Sequence, residues 1–593
     1  MGLPLALKAH DEGNLVLAEK NYERALSQGE NKSIVFQNYG SLLKSIDQID
    51  KAKYIYLEGL ALYPDDIAIN TNLANLYKDL PNPLISLSIK HYLQAFASSI
   101  KIAEKKDTVS KSTISSLVNI VALLRELGLV HLAYCLIYQS LRFDSSSPSL
   151  LVNVILLIED VCVPNHSSST DLSTLRNQIL DSLEHVDTFS RIEILFGLAN
   201  HSLSRDMPNE AFLYFDKATS LANLFLSAST DLDEVNKVRK LVTCNGWNLG
   251  CTLLKLQDLS NGWKLFDHGL MTPAEGKQRW QRALSKPFSN KELSLWRGES
   301  LIGKSLLLLE EQAIGDVMMF CSLLLPIANE CKSLSLLISD RLLPIYRRVF
   351  SEYILKGKIK IFSRDDYNKG LLNPSSFDLQ LPIGSICQHR FVSYQAYSPT
   401  VPCLIVDEDS VKNLRSRYMG SLVPNKKLIG VSWRGGGKGV RIQQKSVEEN
   451  QFFELLTSLP DVQFISLQYG KYKKLLRKWQ DRGLDIIADT NVDPLSDMDT
   501  WLSQVSLCDS VLSVANTTIH ASGGLNIPTM CLLSKHADWR WINDTSVTRS
   551  YWYPSVGIAR ASKSNGWDDA FETVQKWVSL GCPMPKGPMS SLS

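Results

Sequence analysis

A carboxylate behind a glycine, Gly315-Asp316, interrupts the run Leu306-Leu-Leu-Leu-Glu-Glu-Gln-Ala-Ile-Gly-Asp-Val-Met-Met-Phe320. The apolar stretch before Glu310-Glu311-Gln312 reads as a strand and the stretch after Asp316 as a helix. The acid therefore lies at the mouth of a βα turn, where open α/β sheets hold their ligands. Kept ionised by the amides of a helix N-terminus, Asp316 is placed to take a proton from an attacking hydroxyl, and equally placed to cap its own helix. A second strand, Leu428–Trp433, opens into Arg434-Gly435-Gly436-Gly437, where a guanidinium and backbone amides converge on a space suited to a diphosphate. Lys445 is either a further cation for that anion or a solvated surface lysine. A third strand, Ser510–Val514, opens into Asn516-Thr517-Thr518-Ile519-His520, a helix start that offers amides and hydroxyls to phosphate. His520 either reaches that phosphate or holds two turns together.

Other residues at strand ends are candidates for the rest of a ligand. Gln468 follows the strand Gln463–Leu467, where a nucleotide base or ribose would meet it, and Gln312, Gly315, Trp433 and Arg540 are grouped with it as base, ribose or acceptor contacts. The segment Trp539-Arg540-Trp541 either stacks on a donor base or makes a cation contact, or forms a surface cluster packing a terminal helix. Asp493, Asp497 and Asp499, separated by Pro494 and Ser496 among others, read as helix caps, and no metal is expected.

These turns need two α/β lobes. Short apolar runs alternate with helical patterns from Trp296-Arg-Gly-Glu299 onward. Ser305–Leu309, Ser333–Ser339, Lys358–Phe362 and Leu379–Leu381 are the expected strands of a first lobe. Leu428–Trp433, Gln463–Leu467, Asp485–Ala488, Ser510–Val514 and Thr529–Leu533 are those of a second. The first half of the chain repeats with a period of 34: Ala18, Tyr22, Ala25 and Leu26 return as Ala52, Tyr56, Gly59 and Leu60. The same spacing returns as Ser88, Tyr92 and Ala95 after the Pro81-Asn-Pro83 insertion, then as Ala133, Ile137 and Ser140, and as Ala211, Phe215 and Ala218. Small residues at this spacing let one helix sit against the next while the aromatic fills the gap between successive pairs. The expected divisions are a helical solenoid over 1–270, a first lobe over 271–420 and a second over 421–593.

Composition bounds the partners. With 593 residues the chain exceeds one core. Lys+Arg of 63 against Asp+Glu of 61 gives no basic field, so nucleic acid is not an expected partner. Eleven cysteines without a Cys-x-x-Cys pair indicate neither a zinc knuckle nor a disulfide framework, and reduced thiols suit a cytoplasmic setting. No window approaches ~18 apolar residues, so a membrane span is not expected, although peripheral contact stays open.

The N-terminal pattern resembles the tetratricopeptide repeat, well matched over 5–97 and loosely from 115 to 270; that resemblance implies a groove for a protein or peptide. The motifs Glu311-Gln-Ala-Ile-Gly-Asp316, Val431-Ser-Trp-Arg434, Asp499-Thr500, Cys508-Asp-Ser-Val-Leu-Ser513, Gly523-Gly-Leu-Asn-Ile-Pro528, Asp538-Trp-Arg-Trp541 and Trp552-Tyr-Pro-Ser555 resemble the heptosyltransferase-type glycosyltransferases, and more closely the branch with tetratricopeptide repeats in front. The resemblance implies a GT-B pair of Rossmann-like lobes and a nucleotide-sugar substrate held by the second lobe without cofactor or metal, the sugar passing to a hydroxyl of a protein or of a surface glycan or lipid. It also implies Asp316 as the base, with Arg434, Gly435, Lys445, Asn516, Thr517, Thr518 and His520 around the phosphates. Ala515 departs from the pattern, standing where many relatives carry an aspartate. That departure keeps a second reading open: a non-catalytic repeat scaffold with a degenerate transferase domain.

Overall fold

The computed structural model describes residues 2–11, 14–80, 83–106, 111–127, 129–141, 153–157, 187–204, 206–271, 288–397, 402–436, 445–470, 472–535, 537–562 and 566–588. Gly437, Pro81, Asn82 and much of the looser repeat stretch lie outside them. The chain divides into two compact units, Met1–Asn245 with Pro273–Gln278, and Gly246–Thr272 with Arg279–Ser593.

The first unit is an array of helical hairpins, among them Leu15–Ser27, Ser33–Ser45, Ile49–Leu62 and Ile67–Lys78. The repeat residues do what their spacing predicts: Ala18, Tyr22, Ala25, Ala52, Tyr92, Ala95, Ala211, Phe215 and Ala218 are all fully buried. A Cβ on Gly40 would come within 2.3 Å of the Tyr56 ring, so the tyrosine of one helix fills the space that a missing side chain leaves on another. Tyr22 and Tyr39 stack at 5.5 Å between neighbouring helices. Among the described residues no helix is long and apolar enough to cross a membrane.

The second unit contains two parallel sheets. In chain order the first comprises β1 (Ser294–Leu295), β2 (Ser305–Leu309), β3 (Ser333–Ile338), β4 (Ile359–Ser363) and β5 (Leu379–Pro382), arranged β1-β5-β2-β3-β4. The second comprises β6 (Lys427–Ser432), β7 (Val462–Ser466), β8 (Ile486–Ile487), β9 (Ser510–Val514), β10 (Thr529–Leu533) and β11 (Val556–Arg560), arranged β11-β10-β9-β6-β7-β8. The nine expected strands are present within one or two residues at each end. β1 and β11 are additions. The run Ser305-Leu-Leu-Leu-Leu309 is buried along its length, as strands covered on both faces must be.

Chain order fixes where each sheet opens. From β2 the chain steps outward to β3 and β4, then returns to β5 on the other side of β2; from β6 it steps to β7 and β8, then returns to β9. Connections leaving β6 and β9 diverge in opposite directions and leave a crevice beyond their carboxyl ends, and in the first sheet the strand order reverses between β2 and β5. The Gln312–Asp316 turn lies at the first crevice, and the Arg434 and Asn516 turns at the second.

The helical segment Gly246–Thr272 packs with the sheets. Helix Leu259–Phe266, capped by Asp258, buries Trp263 and Phe266 against Phe320, Trp539 and Trp552. The Trp263 indole donates to the Tyr397 hydroxyl at 2.9 Å.

Candidate functional site

At the end of β2 the backbone turns on Gln312, whose φ of +58° lies in the left-handed region, and enters helix Ile314–Cys321. Glu310 and Glu311 are buried beneath this turn. Glu311 Oε2 accepts the Gly384 amide at 3.1 Å, tying β2 to the exit of β5, and Glu310 pairs with Arg364 at 2.5 Å. Asp316 occupies the third helical position and its Oδ2 accepts the Ala313 amide at 3.1 Å, so the capping role is real. Its Oδ1 takes the Nε–H of Arg540 at 2.6 Å and a second bond from Arg540 Nη2.

The turns after β6 and β9 are held by their own side chains. Gln468 Oε1 accepts from the Ser432 hydroxyl and from the amides of Trp433 and Arg434 at 2.9–3.1 Å. Asn516 accepts the Thr518 amide as an N-cap, and its Nδ2 donates to Ser432 Oγ at 2.7 Å and to the Arg434 carbonyl at 3.1 Å. Gln468 and Asn516 thus shape the cradle from within, whereas the sequence reading placed them against base, ribose and phosphate. Trp433 is a correction. It is fully buried among Phe452, Trp479 and Tyr472, so it anchors the end of β6 and touches no ligand space. Arg434 is exposed, the Gly435 amide bonds to Ser446 Oγ at 3.1 Å, and Thr518 is buried.

The two crevices meet. A Cβ on Gly315 would lie 2.9 Å from the His520 ring and 3.4 Å from Thr517 Oγ1, so only glycine lets the turn of the first sheet press on the helix start of the second. A cleft of about 340 Å³ opens beside this contact, lined by Gln312, Arg341 and Arg364 from one sheet and by Tyr469, Trp501 and Thr517 from the other. His520 is buried in the contact with its Nδ1 3.4 Å from the Tyr553 hydroxyl. Burial pulls its pKa down to about 4 against the pull of Asp316. The ring is therefore neutral near pH 7, which suits the role of holding two turns together better than phosphate binding.

That shift has a sign for stability. The folded chain resists protonating His520 and the unfolded chain does not, so stability is full above about pH 6.5 and falls as the pH drops toward 4. The loss amounts to roughly 3 kcal/mol at most. His520→Asn should flatten this part of the acid limb of thermal midpoint against pH; His91 and His389, also lowered by burial, leave a residual slope. An unchanged slope would show that the ring is solvated.

Sequence reading missed the partners of Arg540. Its Nη1 lies 3.1 Å from Asp538 Oδ2, the same oxygen that holds Lys445 Nζ at 2.7 Å. Burial pushes the Asp538 carboxyl up, but Lys445 and Arg540 more than offset it, and the acid sits well below the usual carboxylate range. Arg540 also donates to Gln312 Oε1 at 3.1 Å and rests 4.2 Å over the Trp539 ring. Trp539 and Trp541 are buried, so neither the stacking nor the surface-cluster reading holds. Of the acidic trio, Asp497 caps helix Met498–Val505 and Asp493 accepts the Leu495 amide, but Asp499 is no cap: it pairs with Arg348, 151 residues away.

With two parallel sheets meeting at their carboxyl ends and a helical array before them, the chain is similar to heptosyltransferase-type glycosyltransferases in one part and to tetratricopeptide-repeat proteins in the other. Over 330 residues it is 23% identical to Protein FlbA of Caulobacter vibrioides, a match covering 53% of this chain and 52% of that protein; the chain thus spans about half the length of this curated relative. Among solved structures, the E. coli ADP-heptose lps heptosyltransferase II aligns with 47% of this chain and 98% of its own, at 11% identity and a TM-score of 0.33. YrrB, a TPR protein with an unusual peptide-binding site, aligns with 37% of this chain and 97% of its own, at 11% identity and a TM-score of 0.22. No family model matches the chain.

Proposed function

We propose that the α/β unit is a GT-B glycosyltransferase that moves a sugar from a nucleotide-diphosphate donor to an acceptor hydroxyl, with inversion and without metal, and that the helical array receives a protein or peptide carrying that hydroxyl. One observation carries this reading: the Gly315-Asp316 turn of one sheet abuts the Thr517–His520 helix start of the other beside an open cleft. The turn that bears the carboxylate and the helix start that offers amides thereby border one cleft, with Gln312 and Thr517 facing it. In the step, Asp316 takes the acceptor proton and the acceptor oxygen bonds to the anomeric carbon. The bond from that carbon to the diphosphate breaks, and the electron pair leaves with the diphosphate toward Arg434, Lys445 and the amides around Gly435 and Thr517. The second reading, a binding scaffold, draws support from Ala515 and from the engagement of both Asp316 oxygens.

Thermal shift against UDP, ADP, GDP and CDP tests the donor site. At 100-fold excess over its dissociation constant the bound nucleotide should add about 2.7 kcal/mol of stability. Arg434→Ala should lose most of that gain, since its exposed guanidinium, beside Tyr472, leads directly into the glycine turn. Silence across the panel would leave only the scaffold; an undiminished shift in Arg434→Ala would move the diphosphate elsewhere.

A further inference from the structure

We propose that Arg540 is both a lock on Asp316 and a ligand for the donor diphosphate, so that the donor's arrival transfers the guanidinium from the carboxylate to the phosphates and releases the base. The inference rests on the glycosyl-transfer reading above and adds a regulatory contact to that site.

The geometry divides the surroundings of the guanidinium in two. On the side of the second sheet it is held by Asp538 at 3.1 Å and by the Trp539 ring at 4.2 Å, and these partners are its neighbours in sequence. On the side of the first sheet it bonds Asp316 and Gln312, which lie 224 and 228 residues away. Asp538 and Trp539 keep Arg540 with the donor lobe whatever happens at Asp316. Asp538 also fixes Lys445, whose Cβ lies 3.2 Å from the position a Cβ on Gly435 would take. The two cations on Asp538 thus border the phosphate cradle.

Both Asp316 oxygens are engaged: Oδ2 accepts the Ala313 amide, and Oδ1 is taken up by two bonds from Arg540. A general base needs an accessible lone pair, and the guanidinium covers Oδ1. Asp316, Asp538, Arg540 and Lys445 form a charge-balanced quartet linked through Arg540 and Asp538. A diphosphate entering this quartet competes with Asp316 for Arg540. Withdrawal of the guanidinium uncovers Oδ1 for the acceptor hydroxyl. The proton is then accepted only with a donor in place, and an acceptor bound alone is not deprotonated.

Competition for one guanidinium has a signature in binding that needs no turnover. Calorimetric titration with UDP, ADP, GDP and CDP on the full chain gives the affinities. Asp316→Asn, nearly isosteric and uncharged, should tighten the best-bound nucleotide by about tenfold, because less of Arg540 is withheld from it. Arg540→Gln should weaken it, and the double variant should match Arg540→Gln, the gain having vanished with the guanidinium. If Arg540→Gln does not fold, Arg540→Lys replaces it, with the gain from Asp316→Asn expected to shrink. Equal tightening in both arginine backgrounds would mean simple repulsion between Asp316 and phosphate, and would overturn the lock. Wild-type binding without tightening in Asp316→Asn would overturn it too, leaving the donor site intact. If neither wild type nor Asp316→Asn binds any nucleotide, the transferase reading and the lock fall together.

Discussion

Asp316→Asn is expected to lower glycosyl transfer by about 10²–10⁴-fold, the range general-base catalysis supplies, while the nucleotide is still bound. An amide can keep the hydrogen bond to the Ala313 amide, so the helix start should persist and the loss should lie in kcat. Labelled transfer from candidate nucleotide sugars to acceptors in cell extract, read by mass spectrometry, provides the rate. Retained turnover would remove Asp316 from the chemistry and leave it as a cap and an interlobe ion pair. The contrast with Arg434→Ala is useful. That variant should lose nucleotide affinity first, so the two substitutions separate proton transfer from phosphate binding.

Trp263→Ala should destabilise the α/β unit by about 3–5 kcal/mol, the cost of removing a fully buried indole from a packed core. The ring makes edge contacts with Phe266, Phe320, Trp539 and Trp552 at 5.1–6.3 Å. Loss of its bond to Tyr397 leaves a buried hydroxyl short of a donor. Urea unfolding followed by circular dichroism measures the change, and Trp263→Phe should recover part of it. A change below about 1 kcal/mol would show that the 259–266 helix rests on the sheets without being part of their core. Because Trp539 lies between Trp263 and Arg540, the same cavity should loosen the guanidinium that contacts Asp316.

The architecture was legible wherever a local pattern repeats. Leucine-rich segments of five and six residues announced β2 and β3, and small-aromatic-small spacing announced the hairpins, because burial on two faces or against a neighbouring helix leaves a trace in the residue pattern. β1 has two residues and β11 reads Val-Gly-Ile-Ala-Arg, too short or too interrupted to stand out. The turns that carry candidate chemistry were visible from glycine, charge and strand ends. What their side chains face was not. Trp433 looks the same at a strand end whether it points to a core or a ligand. Gln468 and Asn516 hydrogen-bond their own loops with the groups that a nucleotide would use. The pairing of Arg540 with Asp316 spans 224 residues, and nothing short of the folded sheets brings the two together.

The placement of Gly246–Thr272 bears on how this protein can be cut. A fragment starting after residue 271 would strip Trp539 and Trp552 of the indole they surround and present an oily wound to solvent, so it should precipitate. A fragment starting near residue 231, ahead of helix Leu232–Lys255, retains the plug and is the shorter piece to express alone. Grafting the two-sheet half onto a foreign adaptor would have to respect the same seam.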